Sequence, residues 1–544
     1  TTGLIDDLDA DDDGLLDDVE TGTGTYNGPS DTGTSSTNRD SDGDNWDDGT
    51  EVALGSDPTD DEDSPGVGGG KLLAPDGDAG DAFGDAVAFV EGPDVELALV
   101  GAPGDDNARG SAYLFFRGSS PGNITWSYVE KIVAPDAAEG KRFGVAVDLV
   151  CSDATGSGLY TVIVGAQEDS AYVFTRGGNE ADQATFKQKL GGGGATDFFA
   201  EAVALSASGD TAIVGAQGST PSGIPQSGSA RVYSRDAASG DWSVPVEGEA
   251  LQAPNTTSNT GFGVSVDLSD SGDTAIVGSY AFEGVRVFAR DVQQGTWAPQ
   301  DDLAPSTASE GFGRAVALDA LGDTALVGAE GHVTTAGEGG GAAWVFTRDG
   351  ESGSGTWSES ATLLVDDSAA YDHLGNAVAL SSSGGLAAIG AYGRDDSSAG
   401  YGDTGAAYFF TKVTDGTWIN RQELLAPDRA ANDRLGSVVE ASGTAGTLLI
   451  GAPWDDTADG QAAGSVYLFL NPDQDGDDIV NIHDNCPEHA NPSQTDYDLD
   501  GEGDLCDLDD VSEVPIELVG TDGNGNSFAL RAPTLGAGQP VWLS

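Results

Sequence analysis

The sequence predicts an all-β protein, a seven-bladed β-propeller with calcium-stabilised, loop-rich segments at both ends. Three observations lead to this prediction: a unit that recurs seven times, short runs with the period of β-strands, and regularly spaced acidic residues outside the repeats. Few helices are expected, because no apolar stripe with a 3.6-residue period extends over a useful length.

The repeated unit begins with Phe-Gly or a close variant and ends at Gly-Ala or Gly-Ser. FGDAVAFVEGPDVELALVGA at 83–102 returns as FGRAVALDALGDTALVGA at 312–329. Seven successive copies with a period of 50–63 residues indicate a repeat architecture. The opening pairs are Phe83-Gly84, Phe143-Gly144, Phe199-Ala200, Phe262-Gly263, Phe312-Gly313, Leu374-Gly375 and Leu435-Gly436.

Each copy contains four short apolar runs with strand character. In the fifth copy they are GFGRAVAL (311–318), GDTALVGA (322–329), GAAWVFTR (341–348) and TWSESATLLV (356–365). Period-two alternation bounded by Gly, Asp and Ser is typical of β-strands. Four-stranded units repeated seven times predict a propeller, because each blade buries its faces against its neighbours.

Residue size and the order of the runs refine this prediction. Small residues in the first strand, such as Ala86 and Ala88, fit a crowded central position, and an aromatic residue in each third strand fits the space between widening blades. A KLLAP run precedes the first copy, whereas no such run follows the seventh. We therefore expect residues 71–75 to complete the last blade and close the ring.

These units resemble FG-GAP repeats, the family found in integrin α-chain propellers and in many bacterial surface proteins. The resemblance covers about 71–470 and implies a β-propeller. Copy three departs from the family motif at Phe199-Ala200, and copies six and seven have Leu in place of Phe.

The net charge of −70 and a sequence pI of about 4.1 argue against partners that need a basic surface. Nucleic acids and anionic membranes are such partners. The acidity fits a halophilic or solubilising surface, divalent-cation binding, or both. The sequence lacks an apolar run of 18 residues, so no transmembrane helix is expected. It contains no Met, even at position 1, so we expect a mature extracellular or cell-surface form whose signal peptide has been removed.

The N-terminal segment, 1–60, contains two candidate calcium loops. DADDDGLLDDVE at 9–20 matches the spacing of an EF-hand-type loop, and DSDGDNWDDGTE at 40–51 repeats it with Asn45 in place of Gly. A hard cation takes six to eight oxygens, which alternate carboxylates on a tight loop supply. The candidate ligands are Asp9, Asp11, Asp13, Asp17, Glu20, Asp40, Asp42, Asp44, Asp48 and Glu51.

The C-terminal segment, 471–510, resembles a thrombospondin type 3 repeat. DQDGDD, DNCP, NPSQ and DYDLDGEGDLCD follow one another within 473–507, with Asp478 where the family usually has Gly. The resemblance implies two calcium loops and a disulfide between Cys486 and Cys506. The implied ligands are Asp473, Asp475, Asp477, Asn481, Asp484, Asp496, Asp498, Asp500, Asp504 and Asp507. The N-terminal loops in 1–60 resemble a shorter bacterial variety of these repeats.

Calcium would supply the folding free energy of both acidic segments, which contain few apolar groups and many repelling carboxylates. The alternative is that they are disordered, solvated tails. A disulfide fits an exported protein, whereas Cys151 in VDLVCSDA is expected to be a small buried residue.

Three further segments connect or end these parts. Residues 21–38 form a Gly/Thr/Ser spacer within the N-terminal segment, and residues 61–70 form a hinge into the propeller. In the last segment, 511–544, VPIELVG and SFALRAP predict a hairpin. A lone hairpin is marginally stable, so its apolar residues need a surface, supplied by the propeller or by a second copy.

No catalytic pattern was found: the four histidines are scattered, and HExxH, GxSxG and phosphate-binding loops are absent. We therefore predict a non-catalytic extracellular calcium-binding structural or adhesive protein that self-assembles through its ends into a layer or filament. The alternative is a secreted module that binds a glycan or protein on the propeller face, with loops 217–228, 330–341 and 392–405 as candidate surface. A hydrolase has no support from particular residues. Aspartates after the Gly-Ala pairs (GDD at 104–106, RDD at 394–396, WDD at 454–456) are weaker cation candidates.

Overall fold

The computed structural model divides the chain into two units, Thr1–Asn471 and Pro472–Ser544. In the second unit it describes one antiparallel hairpin, β28 (Glu517–Thr521) and β29 (Ser527–Arg531). The structure describes residues 19, 23, 32–36, 41, 58–59, 70–91, 95–118, 126–152, 159–167, 170–178, 182–191, 197–243, 250–253, 258–280, 284–307, 309–335, 337–349, 355–365, 368–395, 402–413, 416–443, 446–470, 517–521 and 527–531.

The first unit contains seven antiparallel sheets, which form the seven blades of a β-propeller. Blade 1 consists of β2 (Ala86–Glu91), β3 (Val95–Ala102), β4 (Ser111–Gly118) and β5 (Ser127–Ile132). Blade 2 consists of β6 (Phe143–Cys151), β7 (Tyr160–Ala166), β8 (Ser170–Arg176) and β9 (Thr185–Gly191). Blade 4 consists of β13 (Val266–Leu268), β14 (Thr274–Val277), β15 (Val285–Asp291) and β16 (Thr296–Leu303).

In blade 3 the described strands are β10 (Phe199–Leu205), β11 (Thr211–Ala216) and β12 (Ser229–Ser234). The described parts of the segment predicted to be its fourth strand, 241–243 and 250–253, form antiparallel bridges from Trp242 to Arg235 and from Leu251 to Ala230. A short 3-10 turn, Pro221–Gly223, lies in the loop before β12.

The remaining blades follow the common pattern. Blade 5 consists of β17 (Ala315–Leu318), β18 (Thr324–Ala329), β19 (Ala342–Arg348) and β20 (Trp357–Leu363), and blade 6 of β21 (Val378–Leu380), β22 (Leu386–Ala391), β23 (Ala406–Lys412) and β24 (Trp418–Leu424). Blade 7 contains β25 (Val438–Ala441), β26 (Thr447–Ala452) and β27 (Ser465–Leu470). The helical turn α1 (Asp105–Ala108) belongs to blade 1.

The ring is closed by the beginning of the propeller segment. Strand β1 (Lys71–Leu72) pairs with β27, placing Lys71 opposite Tyr467 and Leu72 opposite Val466. The Leu468 N–H donates to the Gly70 carbonyl over 3.0 Å. The chain therefore enters the ring and leaves it at adjacent points of blade 7.

The Phe-Gly motif has two physical roles. Phe83 is fully buried and packs edge-to-face on Tyr113 and Phe115, with ring centroids 5.6 and 5.9 Å apart. At Gly101, a Cβ atom would lie 2.0 Å from the carbonyl oxygen of Gly144 in the next blade. The Gly-Ala glycine of each blade meets the next Phe-Gly pair in this way, so a side chain would force the blades apart.

Aromatic residues of the third strands are buried between blades, as the sequence predicts. Each is at most 4% exposed: Tyr113, Tyr172, Tyr233, Phe288, Trp344, Tyr408 and Tyr467. The first strands surround the axis of the ring, where Ala88, Ala204, Ala317 and Ala379 are buried. Large side chains therefore fill the periphery of the blades, while small ones fit the centre.

Candidate functional site

One face of the ring is built from the loops that lead into the first strand of each blade. We call these seven segments the entry loops and their side of the ring the entry face. The residue before each Phe or Leu has a positive φ angle, and five of these residues are not glycine: Ala82, Arg142, Phe198, His373 and Arg434. An L-residue in this region carries a steric penalty of about 1–2 kcal/mol.

Backbone hydrogen bonds to the preceding blade hold the entry loops in this conformation. Tyr371 N–H donates to the Glu338 carbonyl over 3.0 Å, and His373 N–H donates to the Gly339 carbonyl over 2.9 Å. In the next blade, Asn432 N–H donates to the backbone carbonyl of Gly402, and Arg434 N–H donates to the backbone carbonyl of Asp403. Alternate residues are thus fixed by the neighbouring loop, which orients their side chains with little freedom.

The chain enters and leaves the ring on the face opposite the entry loops. Strand β27 starts beside the first entry loop, since Phe83 bridges Gly464. It ends at Leu470, which pairs with Thr447 at the far end of the blade. Gly70 lies beside Leu468, so the first propeller strand starts at this same end.

At three of the interfaces between blades, an ion cluster connects the residues that follow the outer strand of one blade to the next blade. Lys131 Nζ lies 2.9 Å from Asp76 and 2.6 Å from Asp105, and the Tyr113 hydroxyl donates to the same carboxylates. Lys71 Nζ contacts Asp428 at 2.7 Å and Asp455 at 2.6 Å. The third cluster contains Lys189, Asp136 and Tyr172.

These clusters engage two of the aspartates that the sequence presents as weaker cation candidates, Asp105 and Asp455. Both carboxylates are buried against a lysine. Burial alone would lower the pKa of Lys71, but hydrogen bonds with Asp428 and Asp455 raise it above its usual value. Among the described residues, no group of three or more His, Cys, Asp or Glu side chains is arranged to hold a metal ion.

The axial channel, with a volume of about 640 Å³, is lined by four acidic residues of first strands: Glu91, and Asp148, Asp267 and Glu440, which stand at equivalent positions of their blades. Asp148 accepts hydrogen bonds from Leu149 N–H and from Leu205 N–H of the next blade. Asp267 bridges blades 4 and 5 in the same way, through Leu268 and Leu318.

Glu440 occupies the corresponding position in blade 7, and its charge is coupled to the other two. Burial raises the pKa of Asp148 to about 6 and that of Asp267 to about 7, although backbone N–H groups oppose the shift. Burial also raises the pKa of Glu440 well above its usual value, and repulsion from Asp148 and Asp267 adds to the shift. The three carboxyl groups therefore repel one another when they are ionised.

Cys151, at the end of β6, lines this channel and is half-buried, not fully buried as the sequence predicts. The strand ends at the rim of the ring, where the channel is open.

The predicted calcium ligands lie outside the described residues, as do both cysteines of the implied disulfide, Cys486 and Cys506. These ligands are Asp9, Asp11, Asp13, Asp17, Glu20, Asp40, Asp42, Asp44, Asp48, Glu51, Asp473, Asp475, Asp477, Asn481, Asp484, Asp496, Asp498, Asp500, Asp504 and Asp507. Calcium binding by them stays a prediction. In the predicted spacer, Thr32 and Thr34 are buried, and Thr32 N–H donates to the Val19 carbonyl over 2.9 Å.

Two features of the propeller are not predicted in the sequence analysis: the carboxyl groups of the channel and the entry-loop residues with positive φ angles. Aligning the seven copies internally would have revealed the first group, because the position held by Ala88, Ala204, Ala317 and Ala379 is acidic in blades 2, 4 and 7. The same alignment places Tyr371 where two other copies have Gly80 and Gly140.

The FG-GAP repeat family model matches residues 69–115, 357–410 and 418–469, which fall in blades 1, 5, 6 and 7 and in the closing strand. No curated protein matches the chain. A search of the described residues for a helix of sufficient length and apolarity to span a bilayer found none. The three family matches and the sevenfold blade geometry together support FG-GAP repeats arranged in a seven-bladed β-propeller.

Proposed function

We propose that this chain is a non-catalytic extracellular recognition or adhesion module, tethered by one face of its propeller and binding a partner through the other. The observation that carries this proposal is the placement of the two ends of the propeller. The chain enters the propeller at Gly70 and leaves it at Leu470 towards the face opposite the entry loops. The flanking segments are therefore connected to the propeller on that side and not at the entry loops.

The family match supports the extracellular setting, because FG-GAP repeats are typical of extracellular proteins. The closed ring supports a scaffold role, since paired strands with buried interfaces hold surface loops in fixed positions. The shape of such a scaffold need not change when a partner binds.

In the finer form of the proposal, calcium orders the acidic segments, and these segments join neighbouring copies into a layer or filament. The regular carboxylate spacing in 9–20, 40–51 and 473–507 supports calcium as the cation. Because such ligand sets fold only when their charges are neutralised, assembly would be calcium-dependent.

Electron microscopy of the purified full chain tests this form, first with calcium and then with excess chelator. The expected result is ordered assemblies with calcium and single particles with chelator. A variant carrying Asp496→Asn, Asp498→Asn and Asp500→Asn should assemble less at the same calcium concentration. Single particles under both conditions would reject self-assembly through the ends.

The alternative candidate, a recognition module that binds a glycan or protein at the propeller face without assembling, is favoured by the fixed conformation of the entry loops. Its hallmark is partner binding that persists when residues 1–60 and 471–544 are both deleted. Binding that disappears with these segments would instead assign recognition to the ends of the chain.

A further inference from the structure

A continuous row of stacked side chains lies on the entry face across blades 6 and 7. It consists of Tyr371, His373, Tyr392, Arg434 and Trp454, and we call it the aromatic row. The His373 and Tyr392 rings stack at 4.9 Å with an interplanar angle of 9°. Arg434 is sandwiched between two rings, its Cζ lying 5.6 Å from the centre of Tyr392 and 4.7 Å from that of Trp454.

The row ends in exposed rings at both sides. Tyr371, whose ring centroid is 6.3 Å from that of His373, is 60% exposed, and Trp454 is 52% exposed. Four successive contacts connect these two rings, so their positions are fixed relative to one another. Rigid aromatic groups bind partners with a small loss of conformational entropy.

Several features of the aromatic row lower the stability of the folded state. Tyr371 has φ 73° at an entry-loop position held elsewhere by Gly80, Gly140, Asn259 and Asn432, residues that tolerate this conformation. His373 Nδ1 and Arg434 Nε are buried without a hydrogen-bond partner among the described residues. An exposed aromatic ring gains little from burial, so packing does not explain the choice of tyrosine at 371. Such outliers point towards function.

The chemistry of the row selects the class of partner. Sugar rings present C–H faces that stack on exposed aromatic rings, and their hydroxyls donate hydrogen bonds to carboxylates. Asp403, 3.8 Å from Arg434, supplies a partly exposed carboxylate beside the row and offsets the positive charge of that arginine. A net charge of −70 repels polyanions, so among carbohydrates a neutral ligand is favoured over an acidic one.

We propose that the aromatic row is the binding site for a neutral carbohydrate chain, with sugar rings stacking on the exposed rings of Tyr371 and Trp454 at its two ends. This inference rests on the proposed recognition function and specifies its partner. An extended oligosaccharide suits the row better than a single sugar, because the two exposed rings lie at opposite ends of the row.

The test is a glycan array of neutral and acidic oligosaccharides probed with the full chain, followed by calorimetry on the best neutral ligand. The expected result is binding to neutral oligosaccharides, with acidic glycans bound more weakly. Tyr371→Asn and Trp454→Ala should each raise the Kd at least tenfold. Asn is chosen at 371 because two other entry loops carry it, so the fold is retained.

The matched control is Tyr128→Ala, which removes a 44% exposed tyrosine from the outer strand β5 of blade 1, a blade that contributes no member to the aromatic row. Its Kd should stay within twofold of that of the natural protein, and the melting temperatures of all three variants identify any that are misfolded. Absence of neutral-glycan binding would overturn the inference, as would equal Kd values for the row variants and the control.

Two arms separate this inference from the proposed function. Glycan binding should persist in chelator, because the aromatic row contains no group of metal ligands among the described residues. Calcium-dependent assembly without glycan binding would refute the carbohydrate site and leave the tethered scaffold standing. A protein partner that binds the entry face and is lost with Tyr371→Asn would refute carbohydrate as the partner and support recognition.

Discussion

The two faces of the propeller are built from the same seven repeats, yet they differ in backbone conformation and in the exposure of aromatic side chains. On the face where the chain enters and leaves, turns between first and second strands are joined by backbone hydrogen bonds from blade to blade. Each bond joins a backbone N–H to a backbone carbonyl of the next blade: Ala207 donates to Asp270, Asp270 to Ala320, Ala320 to Ser382 and Ser382 to Gly443. On the entry face, non-glycine residues hold positive φ angles and aromatic rings are exposed.

This difference teaches that the entry face combines two roles, because it carries both the ion clusters, through Asp76, Asp136 and Asp428 of the entry loops, and the exposed aromatic rings. The satisfied turns and the ion clusters hold the ring together. The entry face also carries exposed aromatic side chains, such as Tyr371 and Trp454, that are not expected to stabilise the fold. Substitutions that leave a buried charge unpaired should therefore lower stability strongly, whereas substitutions in the aromatic row should affect binding and leave stability almost unchanged.

The largest effect is expected at the closing lysine. In Lys71→Met, the Asp455 carboxylate, 6% exposed, loses the ammonium group 2.6 Å away. Leaving a buried charge unpaired should lower the free energy of unfolding by about 2–4 kcal/mol. Lys131→Met, which strands Asp105 in the same way, should have a similar effect. Chemical denaturation monitored by tryptophan fluorescence provides the measurement.

Lys412→Met is the control, because this lysine is exposed at the end of β23. Its free energy of unfolding should change by less than about 0.5 kcal/mol. Equal losses in all three variants would show that the ion clusters contribute no more than ordinary surface charges.

A smaller effect is expected in the axial channel. Because burial raises the pKa of Asp148 and Asp267 to about 6 and about 7, the folded chain holds protons that the unfolded chain has already released at these pH values. The contribution of Asp148 and Asp267 to the free energy of unfolding is therefore fully present at low pH and is lost as the pH rises through about 4 to 7. Glu440→Ala removes one of the repelling charges and introduces the residue found in four other blades.

At pH 8 the Glu440→Ala variant should gain roughly 1–3 kcal/mol of unfolding free energy, and its stability should fall less between pH 5 and pH 8. Glu139→Ala, whose side chain is 71% exposed, controls for the loss of one negative charge from a very acidic protein. If both variants gain equally, general charge repulsion and not the channel accounts for the effect.

The sequence was sufficient for the repeat, the strands and the closing segment, because each depends on local periodicity and on motif order. Phe83, Gly84 and Gly101 recur in register, and their burial or close backbone contact follows directly from the blade geometry.

The candidate site was harder to predict for a physical reason. Tyr371, Tyr392, Arg434 and Trp454 come from four loops and meet only after blades 5, 6 and 7 have stacked. Of the loops expected to form the recognition surface, 392–405 contributes Tyr392, whereas 217–228 and 330–341 contribute no member of the row. In a chain with 92 acidic residues, Asp148, Asp267 and Glu440 also carry no local signal that distinguishes them.

The smallest expected change is also the most direct test of whether the aromatic row serves binding and not stability, namely the change in the free energy of unfolding of Tyr371→Asn. Relief of the left-handed strain should offset the lost ring contacts, so the free energy of unfolding should stay within about 1 kcal/mol of that of the natural protein. A fall of about 2 kcal/mol or more would contradict the account, because it would show that the exposed tyrosine holds the ring together.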